Sequence, residues 1–180
     1  MKRKKMKTSK DKIKNYENYP LGIVLMSNLL SILIYIIGAF ILYQIGIIWL
    51  ILYIMYILIL EFRLIRGHCT NCYYYGKNCA FGKGKISSIF FKKGDLNKFC
   101  KMQITWKDLI PDFLVSLIPI IVGIIVLIID FSWLILVLII LLVILTSFGN
   151  GFVRGQLACK YCKQKELGCP AEKLFNKKKK

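Results

Sequence analysis

The stretch FILYQIGIIWLI, residues 40–51, lies inside a block that carries no charge, and two residues in it decide how the block is read. From Pro20 to Leu60 there is no Asp, Glu, Lys or Arg. About 20 apolar residues in a helix span the hydrocarbon core of a bilayer, so a block of this length holds two crossings. Gln44 and Gly46 are the break between them, an amide and a glycine where a tight turn meets water. They predict helices over 20–42 and 46–65. In the second, Glu61, Phe62 and Arg63 are expected at the interface, with their long side chains reaching for water.

The pattern recurs further along. From Phe113 to Phe152 the one charged residue is Asp130. The break there is DFSW, residues 130–133, and it predicts helices over 111–129 and 132–149. Pro20 and Pro111 suit the first turn of a helix, where the missing N–H costs nothing. Pro119 is expected to kink the third span. Asn28 reads as a hydrogen-bonding residue between helices. The first helix is read as retained, because its apolar run is too long for a signal peptide and no small-x-small cleavage site follows.

The fold class expected is an all-α polytopic membrane protein. Its four transmembrane helices form two tandem hairpins, each followed by a cytoplasmic Cys-rich knuckle. The segments are 1–19, a basic N-terminus; 20–65, the first hairpin; 66–110, a loop with the first cysteine cluster; 111–149, the second hairpin; and 150–180, a tail with the second cluster.

Charge sets the orientation. Residues 1–19 carry eight Lys or Arg, 61–110 carry ten and 149–180 carry nine, which together are all 27 in a chain of net charge +18. The opposite side has two short turns and the single charge of Asp130. The positive-inside rule then puts both termini and the central loop in the cytoplasm of a cell-membrane protein. The runs KRKK (2–5) and KKKK (177–180) read as contacts to anionic lipid headgroups. Nucleic-acid binding by the same lysines is the weaker reading.

There are seven cysteines, and they follow a pattern. Cys69, Cys72 and Cys79 repeat the spacing of Cys159, Cys162 and Cys169, ninety residues later. Pro20 precedes Cys69 by 49 positions and Pro111 precedes Cys159 by 48, so the chain reads as an internal duplication. WLIL occurs at Trp49 and again at Trp133, out of register. Two repeats of two spans each would share one orientation and release both triplets at the same face of the membrane.

In a reducing compartment such triplets point to metal or redox work rather than structural disulfides. A two-residue gap between cysteines is the knuckle spacing of zinc, which takes four N or S ligands. Cys100 completes a four-cysteine set with Cys69, Cys72 and Cys79. The second triplet then needs another donor: His68, the single histidine, Glu166, Glu172, a water, or a second subunit. An open fourth position would make Cys159, Cys162 and Cys169 the place for chemistry. The lysines nearby are expected to lower the thiol pKa values.

The preferred reading is a binding or scaffold module, or a complex subunit, with cytoplasmic cysteine-ligated metal, zinc first. No reaction is legible, so an enzyme is the less favoured class. The alternative is an iron–sulfur electron-transfer or thiol–disulfide protein. Soft-metal transport ranks third, since the spans contain no Cys or His and only Met26 and Met55 as soft donors. A protein partner or a homodimer is expected, because four short spans make a small machine.

Three further segments carry local signals. CAFGKGK (79–85) lacks the full phosphate-loop pattern and reads as a turn. Thr105 with Asp108 reads as a capping box. Ile86–Ile110 reads as an amphipathic segment on the membrane surface, with Trp106 at headgroup depth.

Overall fold

The protein is described here from a computed structural model, covering residues 15–103 and 105–170. The basic ends, Glu172 and the side chain of Trp106 lie outside the described residues.

Every element is helical, and the only β-type pairing among the described residues is a single bridge between Tyr16 and Cys162. Helix α1 is Leu21–Tyr43, α2 Ile47–Gly67, α3 Lys83–Phe90, α4 Leu96–Lys101, α5 Trp106–Ile129, α6 Trp133–Ile144 and α7 Gln164–Gly168. Four helices are long and apolar enough to cross a bilayer, as a multi-pass membrane protein requires. Their outward faces are grease. Leu25, Ile48, Ile128 and Phe148 stand about as exposed as surface lysines do on a soluble protein, an arrangement that belongs in lipid.

The first turn falls where the sequence places it. α1 ends at Tyr43, and Gly46 takes φ 138°, a backbone form that a side chain would strain. Pro20 caps α1 from just outside it. The third helix differs from expectation. It starts at Trp106, so Pro111 lies inside it rather than in its first turn. The cause is the capping box: the Thr105 N–H and hydroxyl both donate to Asp108 Oδ2, at 2.9 and 2.8 Å, and start the helix five residues early.

The last span also runs on. After Ile144 it widens into π-helical coil over Leu145–Gly149 and Gly151–Ala158. Such wide turns concentrate at functional places.

α1 packs against each of the other three spans, and α5 against α1, α2 and α6. One core layer joins Leu30, Ile34, Ile37 and Ile41 of α1 to Ile135, Ile139 and Leu142 of α6. Gly38 lets the Tyr53 ring and Pro119 approach α1 closely, as small residues do between membrane helices. The Tyr53 hydroxyl donates to Val115 O at 2.7 Å. That carbonyl lies four residues before Pro119, which has no N–H to give it. Asn28 does not bridge helices; its amide donates to Val24 O of its own helix at 2.9 Å.

Candidate functional site: a cysteine cap beneath the bundle

The two C-x-x-C segments share one backbone form. In each, a single 3₁₀ turn (Cys69–Asn71, Cys159–Tyr161) leads to an extended cysteine. Cys72 has φ −84°, ψ 154° and Cys162 has φ −79°, ψ 120°. In each the N–H of the second cysteine meets the carbonyl of the first at 3.4 Å. Beyond this point they diverge. The first runs through a loop with Gly76 at φ 74°, and the second coils into α7.

The turns meet in one cap, and Gln164 is its pin. This amide is fully buried. Its Oε1 accepts from Tyr73 N at 2.8 Å and faces Cys72 Sγ at 3.7 Å. Its Nε2 donates to Cys100 Sγ at 3.5 Å. Cys100 therefore lies against α7, the helix that leads to Cys169, and also beside Gly168. Cys162, Cys79 and Cys169 lie close enough to Cys72 that a thiolate on any of them would disfavour a second one there. Cys79 Sγ accepts from Gly84 N at 3.3 Å. Cys69 is near Cys79 and Cys72, and Cys162 is near Cys169 and Cys159. The cysteines of both triplets thus form one neighbourhood rather than two.

An N-terminal strap clamps it. Tyr16 N donates to Tyr161 O at 3.0 Å, and Tyr19 N to Asn78 O at 2.9 Å. The Tyr19 hydroxyl reaches Ala158 O, and the Tyr74 hydroxyl donates to Tyr16 O at 2.6 Å and accepts from Lys163 N at 2.9 Å. Tyr16, Tyr19, Tyr74 and Tyr73 pack ring against ring in sequence, the first two pairs tilted and the last edge to face. No pattern in the sequence marks Gln164, Tyr16, Tyr19 or Tyr74 for this work, because their partners across the cap lie 58 to 145 residues away.

Two expectations change. The lysines do not make Cys72 or Cys162 acidic: burial pushes Cys72 up to about 12 and raises Cys162, against N–H groups of Tyr74 and Gln164 that favour thiolate. Three of the ammonium groups are held by other partners. Lys77 lies over the Tyr73 ring, Lys163 pairs with Glu17, and Lys83 with Glu61. Glu61 itself turns inward, where Tyr35 donates to it at 2.8 Å, instead of snorkelling outward. Of the other donors, His68 stands edge-on to Phe99 at 6.3 Å, and Glu166 accepts from Asn15. Among the described residues no three His, Cys, Asp or Glu side chains stand arranged to hold a metal ion.

No family model matches the chain, and no curated protein or solved structure is detectably similar to it. The site is therefore argued from its own chemistry.

Proposed function

We propose that this is a membrane-anchored binding or scaffold module whose cysteine cap takes up a soft metal ion, zinc first, on the cytoplasmic face. The observation that carries the reading is the meeting, around Gln164, of two C-x-x-C turns of one backbone form. Their N–H groups face sulfur, as a thiolate-holding turn needs. Cys72 and Cys100 touch Gln164, Cys79, Cys162 and Cys169 lie close to Cys72, and Cys69, Cys159 and His68 complete the candidate donors. As they stand the side chains do not close on an ion, so uptake would turn the thiols toward a shared point and tie the two loops together. Bound thiolates release their protons, so affinity would rise with pH.

The basic ends and the outward Ile86, Ile89 and Phe90 of α3 suit a cap resting on anionic headgroups. The excess of basic residues in the cap and tails supports the cytoplasmic orientation. Duplication of a two-span unit remains the simplest source of the twin turns.

Thiol–disulfide exchange is less favoured, because a nucleophilic cysteine needs a lowered pKa and burial raises Cys72 and Cys162. The test is elemental analysis and an absorption spectrum of the full chain purified without oxygen. One or two zinc per chain and no colour support the proposal. Iron with acid-labile sulfide replaces it with electron transfer. No metal, and no uptake under reducing conditions, overturns it.

A further inference from the structure

A second feature lies above the cap, inside the bundle. All four spans turn polar side chains into one cavity of about 110 Å³. α1 contributes Ser31 and Tyr35, α2 Glu61, and α5 Asp112 and Ser116. The widened end of the last span contributes Thr146, Asn150 and Arg154, each four residues from the next. Lys83 enters from the first cysteine loop. Polar and ionisable groups are costly at this depth and mark functional places in membrane proteins. By the helical rise, Asp112 and Arg154 lie about 8–10 Å inside the ends of their spans.

The charges are unevenly satisfied. Glu61 is spoken for by Lys83 and by the Tyr35 hydroxyl. Among the described residues neither Asp112 nor Arg154 has an ion-pair partner, and no ion pair joins them; the Arg154 guanidinium lies over the Phe81 ring at 5.5 Å, a contact that leaves its N–H edge for an oxyanion. Both side chains are exposed rather than sealed, so a molecule can reach them. The cavity has room for several waters, or for a group of a few heavy atoms in their place.

We infer that this cavity binds a small zwitterion, an ammonium and an oxyanion a few bonds apart, with the oxyanion on Arg154 and the ammonium on Asp112. Guanidinium suits phosphate or carboxylate, and carboxylate suits a primary ammonium that can donate hydrogen bonds. Ser116, Thr146 and Asn150 line the same cavity. Two sources offer this chemistry: the head of an ethanolamine phospholipid from the inner leaflet, and a free molecule of the same kind from solution.

The test uses the full chain in nanodiscs holding equal parts of ethanolamine and choline phospholipid, with retained lipid read by mass spectrometry after extraction. A trimethylated ammonium cannot donate to Asp112, so ethanolamine lipid should be enriched about tenfold, the range of one charge-assisted contact. Arg154→Gln and Asp112→Asn should each abolish the enrichment. Delipidated protein is then heated with O-phosphoethanolamine. A raised unfolding temperature in wild type but neither variant, with no lipid enrichment, assigns the site to the free molecule. The wild-type comparison needs no variant: equal lipid retention together with an unmoved unfolding temperature overturns the inference. So does enrichment that survives both substitutions.

Discussion

At the scale of single residues, a proline explains a tyrosine. Pro119 removes the N–H that would satisfy Val115 O, and the Tyr53 hydroxyl from α2 replaces it. Tyr53→Phe should cost about 1–3 kcal/mol, the desolvation penalty of an orphaned carbonyl. In a Pro119→Ala background, where the helical N–H is restored, the same change should cost much less. Reversible unfolding in detergent of the four proteins of this cycle reads the coupling; equal costs in both backgrounds would refute it. Cys72 gives a pH signature. Its folded pKa, about 12, stands above the ordinary value of 9.0. Its contribution to stability is therefore fully present below pH 9.0 and lost as the pH climbs towards 12. Metal-free wild type should lose unfolding temperature over that window more steeply than Cys72→Ala, and parallel curves would count against the buried neutral thiol.

At the scale of elements, the cap depends on a glycine at the entry to α3. A Cβ on Gly84 would collide with the carbonyl oxygens of Tyr74 and Lys77, backbone that cannot swing aside. Gly84→Ala should destabilise the cap by about 1–3 kcal/mol, as overpacking does. Alkylation of Cys72 at neutral pH should quicken while the spans stay folded, since Gly84 is not among the core residues that join them. Helical content measured beside the labelling rate separates the two. The strap is the other such element. Tyr19→Phe removes the hydroxyl that holds Ala158 O and should loosen the join between the two cysteine loops, again read as faster labelling of Cys72. An unchanged rate would mean that the packed rings and the backbone bonds of Tyr16 and Tyr19 hold the strap without it.

At the scale of the whole molecule, the sidedness of charge makes a plain prediction. A membrane-impermeant thiol reagent should label the exposed Cys159 in inside-out vesicles and spare it in right-side-out ones; the reverse pattern would invert the topology. Four helices and their breaks were legible from composition alone, because an unpaired charge in lipid is so costly that its absence marks the spans. The turn at Gly46 and the capping box at Thr105 were legible because both are local chemistry. The start of α5 was misread by five residues, since Pro111 looked like a beginning when Thr105 and Asp108 were the stronger one. The inward turn of Glu61 could not be read, because its partners Tyr35 and Lys83 lie on other elements. What the sequence by itself determined was how many helices are apolar enough to cross a membrane, where they break, and that two cysteine triplets recur at one spacing. Only the tertiary structure decided that the triplets share one cap around Gln164, that burial rather than the lysines governs Cys72 and Cys162, and that scattered polar residues on four helices face a common cavity. The physical reason is range: hydropathy and turn chemistry act over a few residues, while burial and charge pairing depend on which distant segments meet.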